Sequence, residues 1–211
     1  MQSKPPIKLY RSVVSGHAHR AELFLSLLGR PYTAIDIDLR AGQHKNPEFL
    51  KINAFGQVPV IDDNGIVVPD SNAILVYLAS EYGDAHWLPR DPVGAAAVQR
   101  WLSVAASEIA FGPATARLGK RFGAPVDMEA ACRRAERLFK VMEGELQARP
   151  WLAGDSITIA DIAGYSYIAR APEGDLSLDP YPSIRAWLAR IEALPRFLPM
   201  IELPPFVPKA A

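Results

Sequence analysis

Three stretches of this 211-residue sequence put hydroxyl, carboxylate or bare backbone groups where they could hold and ionise a ligand. Ser15 follows a strand-like run and precedes Gly16, where a helical run opens. A hydroxyl there is backed by unpaired N–H groups and the positive end of a helix dipole, so it suits either a plain N-cap or a donor to an anion. Ser12, nearer the strand, is the alternative donor. Asp70-Ser71 precedes Ile74, Leu75, Leu78 and Tyr82, which recur at helical spacing, so Ser71 stands at or beside a second N-cap that favours an anion. Between them, Pro59 begins an apolar run without an N–H for a ladder, leaving the Val58 backbone without its usual partner at a bond where the cis form is accessible. Val58 can then pair with an extended peptide as a further strand would; the alternative is an ordinary hairpin packed on a helix.

Other reactive side chains carry less. His17-x-His19 has a spacing that sends two helical side chains to different faces, and no further His or Cys cluster completes a metal site, so no metal is expected. His17, near the helix start, is expected to border a pocket. Cys132, the sole cysteine, lies in an amphipathic run and reads as a small packed residue rather than a nucleophile.

The elements that must position these groups are legible from periodicity. Ile7 to Val13 alternates as a strand, with Tyr10 as a core strand residue. Gly16 to Leu28 follows as a helix ended by Gly29 and Pro31. Ile35, Ile37 and Leu39 alternate with Asp36 and Asp38 as a second strand with one wet side. A polar segment and a short helix around Phe49-Leu50 lead to the hairpin Val58–Ile61/Ile66–Val68, turned by Asn64-Gly65 and stopped by Pro69. This βαβ-ββα order predicts a thioredoxin-like domain over residues 1–82. A linker over 83–92 carries Gly83, Pro89 and Pro92, and an all-helical domain follows over 93–211. In that half Met128, Ala131, Ala135, Leu138, Phe139, Met142 and Leu146 form one apolar stripe opposite Arg133, Arg134, Arg137 and Lys140. Gly112-Pro113 is expected to bend or break the helix that starts near Ala95, and Thr158-x-x-Asp161 predicts a capping box with Asp in place of Glu.

Gly56-Gln57-Val58-Pro59 followed by Asp70-Ser71-Asn72-Ala73-Ile74 resembles the glutathione-binding half of soluble glutathione transferases. The likeness runs from about Ile7 to Phe197 and points to bacterial, serine-type members with theta- or phi-like features. It implies that Val58, before a cis Pro59, pairs with the cysteinyl backbone of glutathione, and that Asp70 and Ser71 hold its γ-glutamyl group. Ser15, by its spacing from Leu9-Tyr10 and Arg20, matches the serine that activates the thiol in such proteins. Gly-Gln-His44-Lys45-x-Pro-Glu-Phe-Leu is similar to a pattern in which His44 and Lys45 bind the glycyl carboxylate, and Gln57 adds a backbone contact. The resemblance further implies a homodimer entered by Phe55, and an apolar electrophile held between the domains near His17, Ser107, Phe111 and Arg117. Packing is the alternative for Phe55 and Phe111, and plain solvation for Arg117.

Composition agrees with a globular protein and excludes other classes. Apolar residues make up 49% and charged ones 22%, and 23 basic residues balance 23 acidic ones. A zero net charge gives no footprint for nucleic acid or an anionic membrane. The absence of a long apolar span or leader-like N-terminus, together with a single cysteine, predicts the cytoplasm. A Pro-rich tail runs from Leu203 to Pro208. The expected activity is conjugation of glutathione thiolate to a small electrophile, with glutathione as co-substrate and no cofactor. Glutathione-dependent disulfide reduction and non-catalytic carriage of apolar ligands are the alternatives. Isomerisation is disfavoured because a Ser-Ser-Cys motif is missing.

Overall fold

A computed structural model describes residues 5–203, so residues 204–208 of the Pro-rich tail lie outside the described residues. The chain begins with β1 (Ile7–Arg11), α1 (Gly16–Leu27), β2 (Tyr32–Asp36), α2 (Pro47–Ile52), β3 (Val60–Asp63), β4 (Ile66–Pro69) and α3 (Ser71–Tyr82). The four strands form one sheet in the order β2-β1-β3-β4. β1 runs parallel to β2 and antiparallel to β3, with Leu9 opposite both Ala34 and Ile61. This is the mixed sheet of a thioredoxin-like domain. Asn64 and Gly65 both take positive φ, 55° and 93°, as the twist of a two-residue hairpin demands.

Two boundaries differ from the periodicity. β1 stops at Arg11 rather than Val13, because Ser12 to Ser15 turns back on itself, the Ser15 N–H donating to the Ser12 carbonyl at 2.9 Å. β2 is centred three residues earlier than Ile35–Leu39, since it is an edge strand whose register is set by pairing Ile7 with Tyr32. Tyr10 is only half-buried, its ring edge-on to Phe49 of α2 at 6.4 Å, because the strand end lies at the rim of the sheet rather than beneath the helices.

Ile7, Leu9 and Ile61 are sealed under α1 and α3 by Phe24, Leu25, Ile74, Leu75 and Leu78. Nothing in this core stops at the end of α3. The stretch after Tyr82 is packed rather than loose: Trp87 is buried with its ring 4.9 Å from Phe24, and its carbonyl accepts from Ile159 N–H at 3.0 Å. An indole is too large to leave in water while a helix groove is at hand.

The remainder is helical: α4 (Pro92–Val104), α5 (Thr115–Phe122), α6 (Met128–Ala148), α7 (Ile159–Ala169) and α8 (Pro182–Glu192). From Ala131 to Leu146 the α6 stripe is buried where the spacing placed it, with Met128 half-buried at its start. Gly112-Pro113 does not break the helix. Residues Ala105–Ala114 continue α4 as a π-helical segment, with both residues buried against the bundle. The wider ladder accommodates a proline, which has no N–H to give, and the Thr115 hydroxyl donates to the Ala110 carbonyl at 2.9 Å.

The capping box at Thr158 forms and does more than cap. Asp161, fully buried, accepts from the N–H groups of Thr158 and Leu152 and from the Trp187 indole, each at 2.9 Å. It therefore ties α7, α8 and the preceding loop to one carboxylate. Removing it leaves three buried donors unpaired, so Asp161→Ala should lower stability by about 3–5 kcal/mol, read from denaturant unfolding.

Candidate functional site

Ser15 is the N-cap of α1, in extended conformation, its Oγ accepting from Ala18 N–H at 3.3 Å. The hydroxyl proton is left to donate outward from a half-buried position at the helix mouth. Ser12 is buried one turn behind it. The loop between them is held from the helical half. The Arg117 Nη1 donates to the Val14 carbonyl at 2.9 Å, and its Nε donates to Glu173 at 2.7 Å. Arg117 is thus neither a solvated cation nor free to meet an electrophile, because a buried carboxylate holds it. Sequence gave no sign of this pair, whose members lie far apart along the chain.

The start of α3 is built differently. Asp70, not Ser71, is the N-cap; its Oδ1 accepts from the N–H groups of Asn72 and Ala73, both at 2.9 Å. The backbone there has φ 74°, a conformation that costs a non-glycine residue about 1–3 kcal/mol and clusters at ligand clamps. Ser71 is buried at the first helical position, and its Oγ accepts from Arg20 Nη1 at 2.8 Å. The same nitrogen donates to Asn72 Oδ1 at 2.8 Å, and Asn72 reaches the Leu102 carbonyl of α4 at 3.0 Å. Arg20 takes one lone pair of the Ser71 hydroxyl, whose proton is left to turn towards His17 Nδ1, 3.4 Å away, or towards an arriving acceptor.

Arg20 is the residue that sequence reasoning missed, having served only as a spacing mark. Its side chain is sealed, with Nε and Nη2 unpartnered among the described residues. Burial pulls the guanidinium down to about 10, so at neutral pH it stays charged beneath the α3 mouth. The available signal was an arginine set among Ala18, Ala21, Leu23 and Phe24, on a face with no water to receive it.

His44 and Lys45 form a single 3-10 turn, Gln43–Lys45. Lys45 Nζ lies 3.2 Å from the carbonyls of both Phe55 and Gly56, bringing this turn against the segment that leads to Val58. Gly56, at φ 56°, admits that approach; a Cβ there would stand 2.6 Å from the His44 carbonyl. The Gln57 side is fixed through its carbonyl, which accepts from Asn53 Nδ2 at 2.8 Å. Val58-Pro59 is cis, and among the described residues no hydrogen bond ends on the Val58 N–H or carbonyl. Phe55 is 82% exposed.

The residues expected near a second substrate are scattered in role. Phe111 is 61% exposed on the π-helical segment, so packing does not account for it. Ser107 is turned back on its own helix, donating to the Ser103 carbonyl at 2.8 Å. His17 has its Nδ1 3.4 Å from Ser71 Oγ and its ring 5.0 Å from that of Tyr167. His19 points elsewhere, as the spacing predicts, and no group of three or more potential metal ligands occurs among the described residues.

Residues 5–80 match the family model "Glutathione S-transferase, N-terminal domain", and residues 108–195 match "Glutathione S-transferase, C-terminal domain". The chain is 34% identical to glutathione S-transferase 3 of Zea mays, with 95% of this chain and 96% of that one covered. It superposes on the crystal structure of a glutathione S-transferase from Pseudomonas fluorescens with a TM-score of 0.88, at 31% identity over 94% of this chain and all, 100%, of that one. A glutathione transferase homolog from Drosophila mojavensis, whose structure holds bound glutathione, matches with a TM-score of 0.78 at 28% identity, covering 90% and 89% of the two chains.

Two histidines give the fold a pH signature. The Leu198 carbonyl, 2.9 Å from His19 Nε2, can only accept, so that nitrogen carries the proton and Nδ1 accepts from the Ser166 hydroxyl, also at 2.9 Å. Burial lowers His19 to about 4, and burial followed by the charge of Arg20 lowers His17 to about 3. In the unfolded chain both titrate near 6.5. Below that value the unfolded state binds up to two more protons than the folded one, so stability falls as pH falls. Urea unfolding between about pH 6.5 and 5 should show a slope approaching 2.7 kcal/mol per unit at most.

Proposed function

The chain belongs to the glutathione S-transferase family, and on that premise we propose that it joins the glutathione sulfur to an electrophilic carbon of a small apolar second substrate. The observation that carries the reading is the bond from Arg20 to Ser71. It ties the helix that opens at Ser15 to the helix mouth at Asp70 and Ser71, with a buried positive charge behind both. A γ-glutamyl carboxylate fits the Ser71 proton and that charge, and its ammonium group fits the free oxygen of Asp70. The bare Val58 backbone supports strand-like pairing with the cysteinyl residue. His44, Lys45 and Gln57 lie where the glycyl end would follow, Lys45 as a point charge.

The sulfur then meets Ser15. A free thiol has a pKa of about 8.5, so little is ionised at neutral pH, and lowering it by ~2 units favours the thiolate by roughly 2.7 kcal/mol. The Ser15 hydroxyl supplies a donor for this, and the N-terminus of α1 supplies its dipole. The thiol proton leaves to water, the sulfur–carbon bond forms, and the displaced group departs with its electron pair. The thiolate is itself the nucleophile, so the step calls for neither metal nor organic cofactor. Val13, Phe111 and Leu118, all exposed, offer apolar surface to the second substrate, the first in the loop that carries Ser15.

The same reading includes a homodimer. Between α4 and α6 runs a groove of about 470 Å³ floored by Trp101, Val104, Leu138 and Val141. Phe55 of a second copy is the occupant of matching chemistry, and the groove of each copy would take the aromatic ring of the other. A reducing cytoplasm, where glutathione is held as the thiol, suits both the activity and the single cysteine.

Ser15→Ala should raise the pH midpoint of kcat/KM with an aryl halide by about one to two units, with a tenfold to hundredfold loss below it. An unmoved midpoint removes Ser15 as the activating group, and a faster rate on a small disulfide would assign reduction instead. Phe55→Asp should shift the sedimenting species from dimer to monomer.

A further inference from the structure

The sulfur subsite proposed above has a second wall, supplied by α7. The Tyr167 ring lies directly over Gly16: a Cβ built on Gly16 would stand 2.7 Å from both Cζ and Cε1 and 3.0 Å from Cε2. In a helix the Cα–Cβ direction leans towards the N-terminus, so the hydroxyl-bearing end of this ring sits at the mouth of α1, one residue from Ser15. Any side chain at position 16 would displace it. The His17 ring holds the phenol edge-on from the next residue, 5.0 Å away.

The chemistry of that hydroxyl is unusual for a buried tyrosine. The backbone N–H groups of His17 and Gly16 and the guanidinium charges of Arg20 and Arg117 all act on it in favour of the anion, while burial holds it protonated. With N–H groups directed at its oxygen, the hydroxyl has only its proton left to place. Among the described residues no hydrogen bond takes that proton to a side chain or carbonyl, and the tyrosine keeps 8% of its surface exposed. Tyr165, two residues earlier on α7, shows the ordinary outcome: its hydroxyl donates to Glu192 at 2.9 Å. A polarised phenol with an unspent proton at a helix mouth is complementary to an anion that arrives with the substrate.

We propose that Tyr167 is a further catalytic residue, donating a hydrogen bond to the glutathione sulfur from the helical half while Ser15 donates from the sheet half. The inference rests on the glutathione-transferase reading and adds a donor to it. It makes the ionised sulfur a group shared between two domains, so that ionisation depends on their packing.

The test is the titration of bound glutathione by the ultraviolet absorbance of its thiolate, in the wild type, Tyr167→Phe, Ser15→Ala and the double variant. Phenylalanine keeps the ring on Gly16 and removes the hydroxyl alone. Tyr167→Phe should raise the midpoint by about one unit, tenfold less thiolate below it, with affinity for S-methyl glutathione unchanged because that ligand has no thiolate to hold. The double variant should lie above either single one. A Tyr167→Phe midpoint equal to wild type overturns the proposal and leaves the tyrosine as a cap on α1. A wild type that does not depress the thiol midpoint overturns the parent reading as well, and that failure is distinguished by appearing before any substitution. Should Tyr167→Phe prove unstable, Tyr167→Leu serves: any folded variant without the hydroxyl must raise the midpoint.

Discussion

A single buried guanidinium governs how the sheet half is assembled. Arg20 stands on α1 and spends one nitrogen on two acceptors of α3, Ser71 and Asn72. A charge of this kind is costly to bury, and among the described residues it has no carboxylate in hydrogen-bond contact. What it receives in return is geometry: two helix mouths, at Ser15 and Asp70, are fixed relative to one another, with positive potential behind both. A leucine in its place would pack more cheaply and leave Ser71 without an orientation for its proton.

The second constraint is that neither half finishes the Ser15 loop alone. Arg117, held by Glu173, grips the Val14 carbonyl; Tyr167 lies on Gly16; and His19 bonds to Ser166 of α7 and to the Leu198 carbonyl. Trp87 packs the connecting stretch onto Phe24. The Arg117–Glu173 and His19–Ser166 contacts among these are buried. The helical bundle is therefore part of the apparatus that shapes the β1–α1 loop, besides offering a surface of its own.

What could be read from the sequence was whatever is local. The Asn64-Gly65 hairpin, the α6 stripe, the Thr158–Asp161 cap and the N-terminal mouths of α1 and α3 each rest on residues within a turn or two of one another. Ser71 stands beside its N-cap, as its spacing from Ile74 and Leu75 implied, with Asp70 taking the cap itself. The β2 boundary slipped further, because an edge strand is positioned by its partner and not by its own alternation. Arg20, Arg117 and Tyr167 were opaque for a related reason. Their roles are set by contacts across 51, 103 and about 150 positions, and periodicity assigns such residues only to a buried or an exposed face. Arg117 was misassigned to solvent or substrate because a cation in an amphipathic helix most often faces water.

The π-helical turns of Ala105–Ala114 set the azimuth of everything after them. These wider turns carry the chain from α4 to the helix that bears Arg117, whose guanidinium reaches the Val14 carbonyl. The inner face of the segment leaves little room for other residues: Ala105, Ile109, Gly112 and Pro113 are buried, and a Cβ on Gly112 would stand 3.1 Å from the Ala135 nitrogen of α6.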